Sequence, residues 1–455
     1  MNEERPGGHV RLTSTNGPNV CDHLSKPRGV QFGFDFGLGR AICRSKPKRM
    51  PMTIPAPTRA AALAHIADFT PNMGARYAKR RNTDYGPGRH GAVSCLSPHL
   101  RRRLVAEDEV IAAALAAHGS DGAEKFIQEV VWRSYFKGWM EQRPTTWDSY
   151  RDGLARDFEV LALDRKLRAQ VQAATEARTG LDCFDAWATE LVDTGYLHNH
   201  ARMWFASIWI FTFGLPWRVG ADFFLRNLLD GDPASNTLGW RWVAGLHTRG
   251  KTYLAQAWNI AKFTDGRFAP RDADLAPDAP ALVHEEPDGL PPRLGLRTPV
   301  APDPSKPTAL LLTEDDCAPS LPEGLNIVAT ATLEASHLRS PEPVADHVTA
   351  FERTALRDTG QRLGHEAVEL RAGVPGDLAK WAERAGARQI VTGFVPRGPL
   401  YDWVESARPA LAAQGIPLAE VQRDWDRRVW PHAKAGFFKV KTKIPAILDQ
   451  SGLLA

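Results

Sequence analysis

The sequence predicts an α + α/β multidomain chain, in which an all-helical domain is followed by a smaller parallel-sheet α/β domain. Three observations predict it. Between residues 53 and 268 the apolar positions recur at i, i+3 and i+4, the period of helices with one buried face. From residue 308 onward, short apolar runs alternate with helical segments, the rhythm of βα units that build a parallel sheet. The stretch between them, 269–307, shifts to Pro, Asp and Gly and reads as a linker or a strap across the surface. A chain of 455 residues is also too long for one ordinary core.

The elements follow in order. Residues 1–52 are rich in Gly, Pro, Ser, Asn and basic residues without sustained periodicity. They read as a disordered extension, with Met50 and Met52 as alternative starts. The fragment GFDFGLGRAI within it looks like a dinucleotide fingerprint, but no strand precedes it and no acidic residue follows at the required distance. AAALAHIADF, EDEVIAAALAAHG, AEKFIQEVVWRSYFKGWM and the 182–213 region then read as helices. TALLLTEDD, LNIVATATL, EAVELRAG and RQIVTGF read as strands. HVTAFERTALRDTGQRLG, PGDLAKWAERAG and PLYDWVESARPALAAQG are the helices between and after them.

Composition bounds the function classes. Hydrophobic residues at 43% and charged residues at 24% describe a soluble globular protein, expected in the cytoplasm. A net charge of +4 means that nucleic-acid affinity must come from local patches. The five cysteines are scattered with no CxxC pair, which argues against a zinc site, an iron–sulfur cluster or a disulfide framework and suits a reducing compartment. No N-terminal hydrophobic h-region stands out, so no secretory signal is expected. The longest apolar run, Met203 to Trp217, is too short to span a bilayer and is flanked by Arg202 and Arg218.

Chemistry concentrates between Thr179 and Trp242. There TGYLHNHARMWF is followed by LPWRVG, then DGDPASN, then GWRW. Asn199, Arg202 and Met203 lie at i, i+3 and i+4 and share a helix face. Any one of these fragments is also what a capped helix or a tight turn shows; their ordered succession is far more specific. A calcium loop does not fit, because after Asp230 and Asp232 the next ligand position is Ala234, Ser235 replaces the turn glycine and the twelfth position is Arg241. Upstream stand Tyr77, the run Val93-Ser94-Cys95-Leu96-Ser97-Pro98 at a helix start, and Gln128-Glu129-Val130-Val131-Trp132-Arg133.

This set resembles the FAD-binding helical domain of the DNA photolyase and cryptochrome family. The resemblance covers roughly residues 75–268 by motif and 305–455 by architecture alone. In that family an antenna-type α/β domain precedes the helical one, so the order here is inverted. The resemblance implies FAD as cofactor. Tyr77, Ser94, Leu96 and Ser97 would serve its phosphates and ribityl chain, with hydroxyls and amides at a helix start suited to a diphosphate. Arg133 would serve the flavin side. Asn199 and Arg202 would meet the ring, Arg202 held by Asp230. Asp232 would accept from the pyrimidine edge. Asn236 would sit near N5, where a neutral side chain favours the reduced anionic flavin. Val93 stands where the family has Thr, which removes one hydroxyl contact.

The family's chemistry is light-driven electron transfer into a flipped-out pyrimidine dimer. By resemblance, Glu129, Trp132, Asn199, Met203 and Trp242 would form the lesion pocket. Trp240 and Trp217 would be the proximal and middle members of a tryptophan relay. The distal member has no match, and Trp209, Trp204 or Trp258 are its candidates. DNA containing pyrimidine dimers would be the partner of a protein expected to be a monomer, and no second chromophore is specified. RYAKRR (76–81), HLRRRL (99–104) and the Lys439, Lys441, Lys443 alternation, read as one face of a strand, could grip phosphates. Two rivals stand beside this reading. Gly245 to Thr252 satisfies a Walker A pattern if WRWVA before it is a strand, with ALLLTEDD as a loose acidic partner. A light sensor or redox flavoprotein without repair would share the cofactor, and the weakened resemblance beyond Trp242 would suit it.

Overall fold

The computed structural model describes residues 54–364 and 366–454, which fall in one compact unit. The expected disordered extension, and Cys21 and Cys43 with it, lie outside the described residues.

Among the described residues, eleven α-helices come first. They are α1 (Arg59–Phe69), α2 (Ala75–Arg80), α3 (Ser97–Arg101), α4 (Glu107–Glu141), α5 (Thr145–Leu163) and α6 (Arg165–Thr175), then α7 (Asp182–Thr194), α8 (Asn199–Ser207), α9 (Trp217–Asn227), α10 (Pro233–Val243) and α11 (Ala257–Phe263). The two apolar repeats read as separate helices merge into α4, which bends at Gly119, where φ is +65°. A π-helical turn, Ile208–Thr212, extends α8. The segment WRWVA lies in α10 and the turn after it, and Gly245–Thr252 forms turns with no strand before them. The βα context of a phosphate-binding loop is therefore missing, and the NTPase reading falls.

The sheet has strands β1 (Thr308–Thr313), β2 (Ile327–Glu334), β3 (Ala367–Arg371), β4 (Gln389–Gly393) and β5 (Leu418–Val421), all parallel and ordered β3-β2-β1-β4-β5. β5 was not among the four strands read from sequence; PLAEV is short and carries one apolar alternation only. Helices α12 (Asp346–Arg362), α13 (Gly376–Arg384) and α14 (Pro399–Ala413) make the crossovers. β1 and β4 are buried throughout, as central strands covered on both faces must be. On one side α13 and α14 pack with the sheet around Trp381, Leu400 and Leu411. On the other, Val348, Phe351 and Ala355 of α12 meet Leu104, Tyr196 and Leu229 of the helical part.

Past the sheet the chain returns to the helices as α15 (Asp424–Val429), α16 (Phe437–Lys441) and α17 (Ile444–Gln450). Of the lysines expected on a strand face, Lys439 and Lys441 sit on α16 two residues apart, a spacing that puts them on different helix faces, and Lys443 follows the helix. Trp430 is fully buried against α4, and a Cβ added at Gly138 would lie 2.8 Å from its Cα. Ala is normally better than Gly inside a helix. Here the clash decides the sign: Gly138→Ala is expected to cost about 1–3 kcal/mol, measured by urea unfolding, and an unchanged midpoint would contradict this packing.

The 269–307 stretch is a strap. Leu282 N–H donates to Ala244, Glu286 accepts from Arg241, Leu294 N–H donates to Gln142, and Arg297 pairs with Glu420 of β5. It thus touches α10, the end of α4 and the sheet in turn.

Candidate functional site

The helical half builds a buried charged loop at the N-terminus of α10. Asp232 caps that helix, its Oδ1 accepting from Ser235 N–H at 2.8 Å, and Pro233 follows at the first helical position. Two residues earlier, Asp230 accepts from Arg202 Nη2 at 3.0 Å. Arg202 is fixed by a second bond, from Nε to Leu197 O at 2.8 Å, and lies over the Tyr196 ring. Burial alone would raise the Asp230 carboxyl; Arg202, Arg133 and the Ser97 hydroxyl outweigh it and hold it below its ordinary value. Asp232, wholly buried, is likewise driven well below the carboxylate range by Lys137, Arg101 and Arg133 against the pull of burial. Lys137 Nζ stands 2.6 Å from Asp232 Oδ2, and Arg101 Nε 3.8 Å.

So the structure brings together Ser97, Arg133, Arg202, Asp230 and Asp232, all expected at the cofactor. It adds Lys137, which the sequence reading does not mark, and Arg101, which it marks only within a basic run expected on phosphates. Lys137 was detectable, since it follows Arg133 by four residues on α4 and must share its face. One Asp232 oxygen caps α10 and the other faces Lys137, so the residue also ties α10 to α4.

The remaining expected residues fall around this centre. Leu96 and Ser97 begin α3, and Tyr77 is buried edge-on against Phe126 at 5.1 Å. The Ser94 hydroxyl accepts from Leu96 N–H at 3.4 Å and its carbonyl meets His65. Asn199 is exposed at the start of α8, with His198 Nδ1 capping the helix, and Met203 is half-buried one turn on. Asn236 is half-buried and donates to Ala221 O at 2.8 Å. Glu129 pairs with Arg81; burial raises its carboxyl and Arg81 opposes. Trp132 is half-buried and stacked on Phe437, rings 3.8 Å apart at 13°. Trp242 packs on Tyr253 at 5.6 Å.

Trp240 meets Trp209 edge-on at 6.3 Å and Phe224 at 5.2 Å. Trp217 donates from Nε1 to Glu285 Oε2 at 2.9 Å, and its ring neighbour is Tyr150 at 5.9 Å. Tyr150 in turn meets Trp147 at 5.3 Å, and Trp147 Nε1 donates to Asp402 Oδ2 at 2.8 Å beside the exposed Arg151.

HLRRRL does not grip phosphates. Arg101, Arg102 and Arg103 are buried and reach the acidic loop at the C-terminal end of β1. Arg101 Nη1 stands 2.6 Å from Asp315, Arg102 Nη2 3.0 Å from Glu314, and Arg103 between Asp316 at 3.5 Å and Asp426 at 2.6 Å. Arg339 adds a 2.8 Å contact to Glu314. ALLLTEDD thus ends in a clamp between the two halves. It occupies the β1/β4 switch point, the crevice where open α/β sheets ordinarily take ligands. Arg103 terminates α3 in the left-handed region, at φ +55°, where its two carboxylates hold it.

Several buried polar atoms near Asp230 are left without a hydrogen-bond partner, among them Arg133 Nη1, Asp230 Oδ1 and Ser235 Oγ. Buried polar groups are normally satisfied, so these fit a polar ligand at the loop. A helical half with such a loop, joined to a doubly wound sheet, defines a cofactor-binding protein of mixed α and α/β build. Residues 126–267 match the FAD binding domain of DNA photolyase. A deoxyribodipyrimidine photo-lyase of Thermus thermophilus is 33% identical over 246 residues, 52% of this chain and 54% of that protein. One from Streptomyces griseus is 36% identical over 158 residues, 34% of this chain and 33% of that protein. A crystal structure of a class III photolyase from Agrobacterium tumefaciens is similar at a TM-score of 0.39 and 28% identity, over 46% of this chain and 43% of that one. Residues 126–267 thus form a domain similar to the FAD binding domain of DNA photolyase, and FAD is the cofactor of that domain. The chain spans about half the length, or less, of these relatives.

Proposed function

We propose that the chain holds FAD at the Asp230 loop and, under blue light, splits cyclobutane pyrimidine dimers in DNA. The observation that carries this is the grouping of half-buried Arg133, Arg202 and Ser97 around the buried Asp230, with its unsatisfied polar atoms. When bound, FAD supplies the photochemical electron. Arg202 and Arg133 place positive charge at the loop, Ser97 and α3 face it, and the packed aromatics of α8–α10 exclude water. DNA bearing dimers is the substrate by analogy with the photo-lyases to which the chain is similar.

Trp240 and Trp217 supply the inner part of an electron path. Its outer part runs through Tyr150 to Trp147, in preference to Trp209, Trp204 or Trp258. Trp209 and Trp204 are fully buried, and Trp258 is exposed with its Nε1 on Gln256. Trp147, itself 3% exposed, hydrogen-bonds Asp402, which the exposed Arg151 also holds, so the path ends one side chain from solvent. Trp147→Phe is expected to slow photoreduction of the bound cofactor by a thiol several-fold and to leave repair by chemically reduced protein intact. Equal photoreduction rates would remove Tyr150 and Trp147 from the path.

One observation favours a second reading, a light-sensing flavoprotein without repair. Glu129 is engaged by Arg81 and Trp132 by Phe437, so two side chains expected to grip a lesion already have partners. A dimer-containing oligonucleotide, photoreduced protein and a dark control separate the two. Light-dependent loss of the dimer supports repair; photoreduction with no loss supports the sensor; protein without flavin absorbance sinks both.

A further inference from the structure

From Arg427 to Leu448 the chain has six lysines and arginines and no acidic residue. Within it, α16 turns two adjacent aromatics in opposite directions. Phe437 is 4% exposed and stacks on Trp132, whereas Phe438 is 76% exposed. Lys434, Lys439 and Lys443 beside it are exposed too. A single exposed apolar side chain means little by itself. Here it is anchored by its neighbour to a residue of the candidate site and surrounded by cations.

A second basic helix flanks the same stretch of α4. Lys441 of α16 holds Glu124 at 3.2 Å, while Arg81 holds Glu129 and Tyr77 of α2 packs on Phe126 at 5.1 Å. The outer face of α2 shows Arg76, Lys79 and Arg80, all exposed. Two cationic helices thus border one stretch of α4, which ends inward at Trp132 and Arg133. Cations that track a phosphate backbone, together with an aromatic ring free to stack on a base, are what single-stranded or locally opened nucleic acid requires.

We propose that α16 and α2 form a DNA grip beside the site, with Lys434, Lys439 and Lys443 on phosphates and Phe438 stacked on an unpaired base. Its place beside the site rests on the repair reading above; binding to undamaged DNA does not. The test uses the full FAD-loaded chain, a labelled undamaged single strand, and a duplex with a central mismatch bubble, followed by fluorescence anisotropy over a salt series. The lysine triple variant K434A/K439A/K443A is expected to weaken both complexes and to lower the slope of log affinity against log salt by about 2 on the single strand. Phe438→Ala is expected to weaken single-strand and bubble binding about tenfold and to leave intact duplex almost unchanged. All these residues are exposed, so folding is not at risk, and Leu163→Ala, equally exposed on α5, is the control. Unchanged affinities and slope overturn the proposal. So does a dimer that Phe438→Ala dissolves with DNA binding intact, which assigns the face to a second copy. Loss of binding to phosphatidylserine vesicles alone overturns it in favour of a membrane surface. If the affinities shift as expected while dimers survive illumination, the repair reading fails and the grip stands.

Discussion

Asp230→Asn is expected to strip FAD from the purified protein. The substitution keeps the shape of the side chain and removes the charge that Arg202 and Arg133 share. The Arg202 fork then meets a neutral amide in place of its carboxylate, and an unmatched charge-assisted bond in such a setting costs about 2–3 kcal/mol, or roughly 30- to 150-fold in affinity. Flavin absorbance per polypeptide after gel filtration measures the loss, and titration with free FAD gives its size. Arg202→Lys should fall between, because an ammonium keeps the charge but not the fork that also bonds Leu197 O. Full occupancy in Asp230→Asn would place the cofactor elsewhere.

Arg103→Ala is expected to be the most destabilising single change in the clamp, by about 3–5 kcal/mol. Arg103 is 1% exposed and stands between Asp316 and Asp426, so its removal leaves two buried carboxylates without their paired cation, Asp426 keeping only the weaker pull of Arg423 and Lys137. Urea unfolding with FAD present would show it, and because the pair joins the helical half to the sheet, both halves should lose protection together in hydrogen exchange. The same clamp sets an acid limit. Burial works to raise the Glu314 carboxyl, but Arg339, Arg102 and Arg101 bring it down to about 2. A depressed carboxylate stabilises the fold above its unfolded value of about 4.3 and loses that contribution as pH falls toward the folded one. Stability should therefore decline from about pH 4.3 toward pH 2, and Glu314→Gln should flatten that decline. Glu352, pushed up to about 7 by burial and by Glu314, acts oppositely, its contribution fading as pH rises toward neutrality.

The charged loop is partly legible in the sequence because its members sit on short, ordered motifs. Motif order alone pairs Arg202 with Asp230, 28 residues apart, and they meet at 3.0 Å. Lys137 was missed although its spacing from Arg133 gave it away. Tyr150 and Trp147 were missed because no spacing rule links α5 to Trp217. The fate of HLRRRL could not be read at all. A run of arginines looks the same whether solvated or buried, and the carboxylate that decides the matter for Arg101 lies 214 residues further on. The lysines after Phe437 misled in another way: alternation with Val440 and Thr442 suggests a strand, yet packing of Phe437 on Trp132 makes α16 a helix.

By itself, then, the sequence determined the helical half, four of the five strands and the cofactor, since periodicity and motif order are local properties carried by neighbouring residues. Only the tertiary structure decided which charges are buried, what covers Trp132, and that the sheet's switch point is closed by arginines from the other half of the chain. Those depend on contacts between residues hundreds apart, where desolvation, and not local pattern, determines whether a cation serves as clamp or as ligand site.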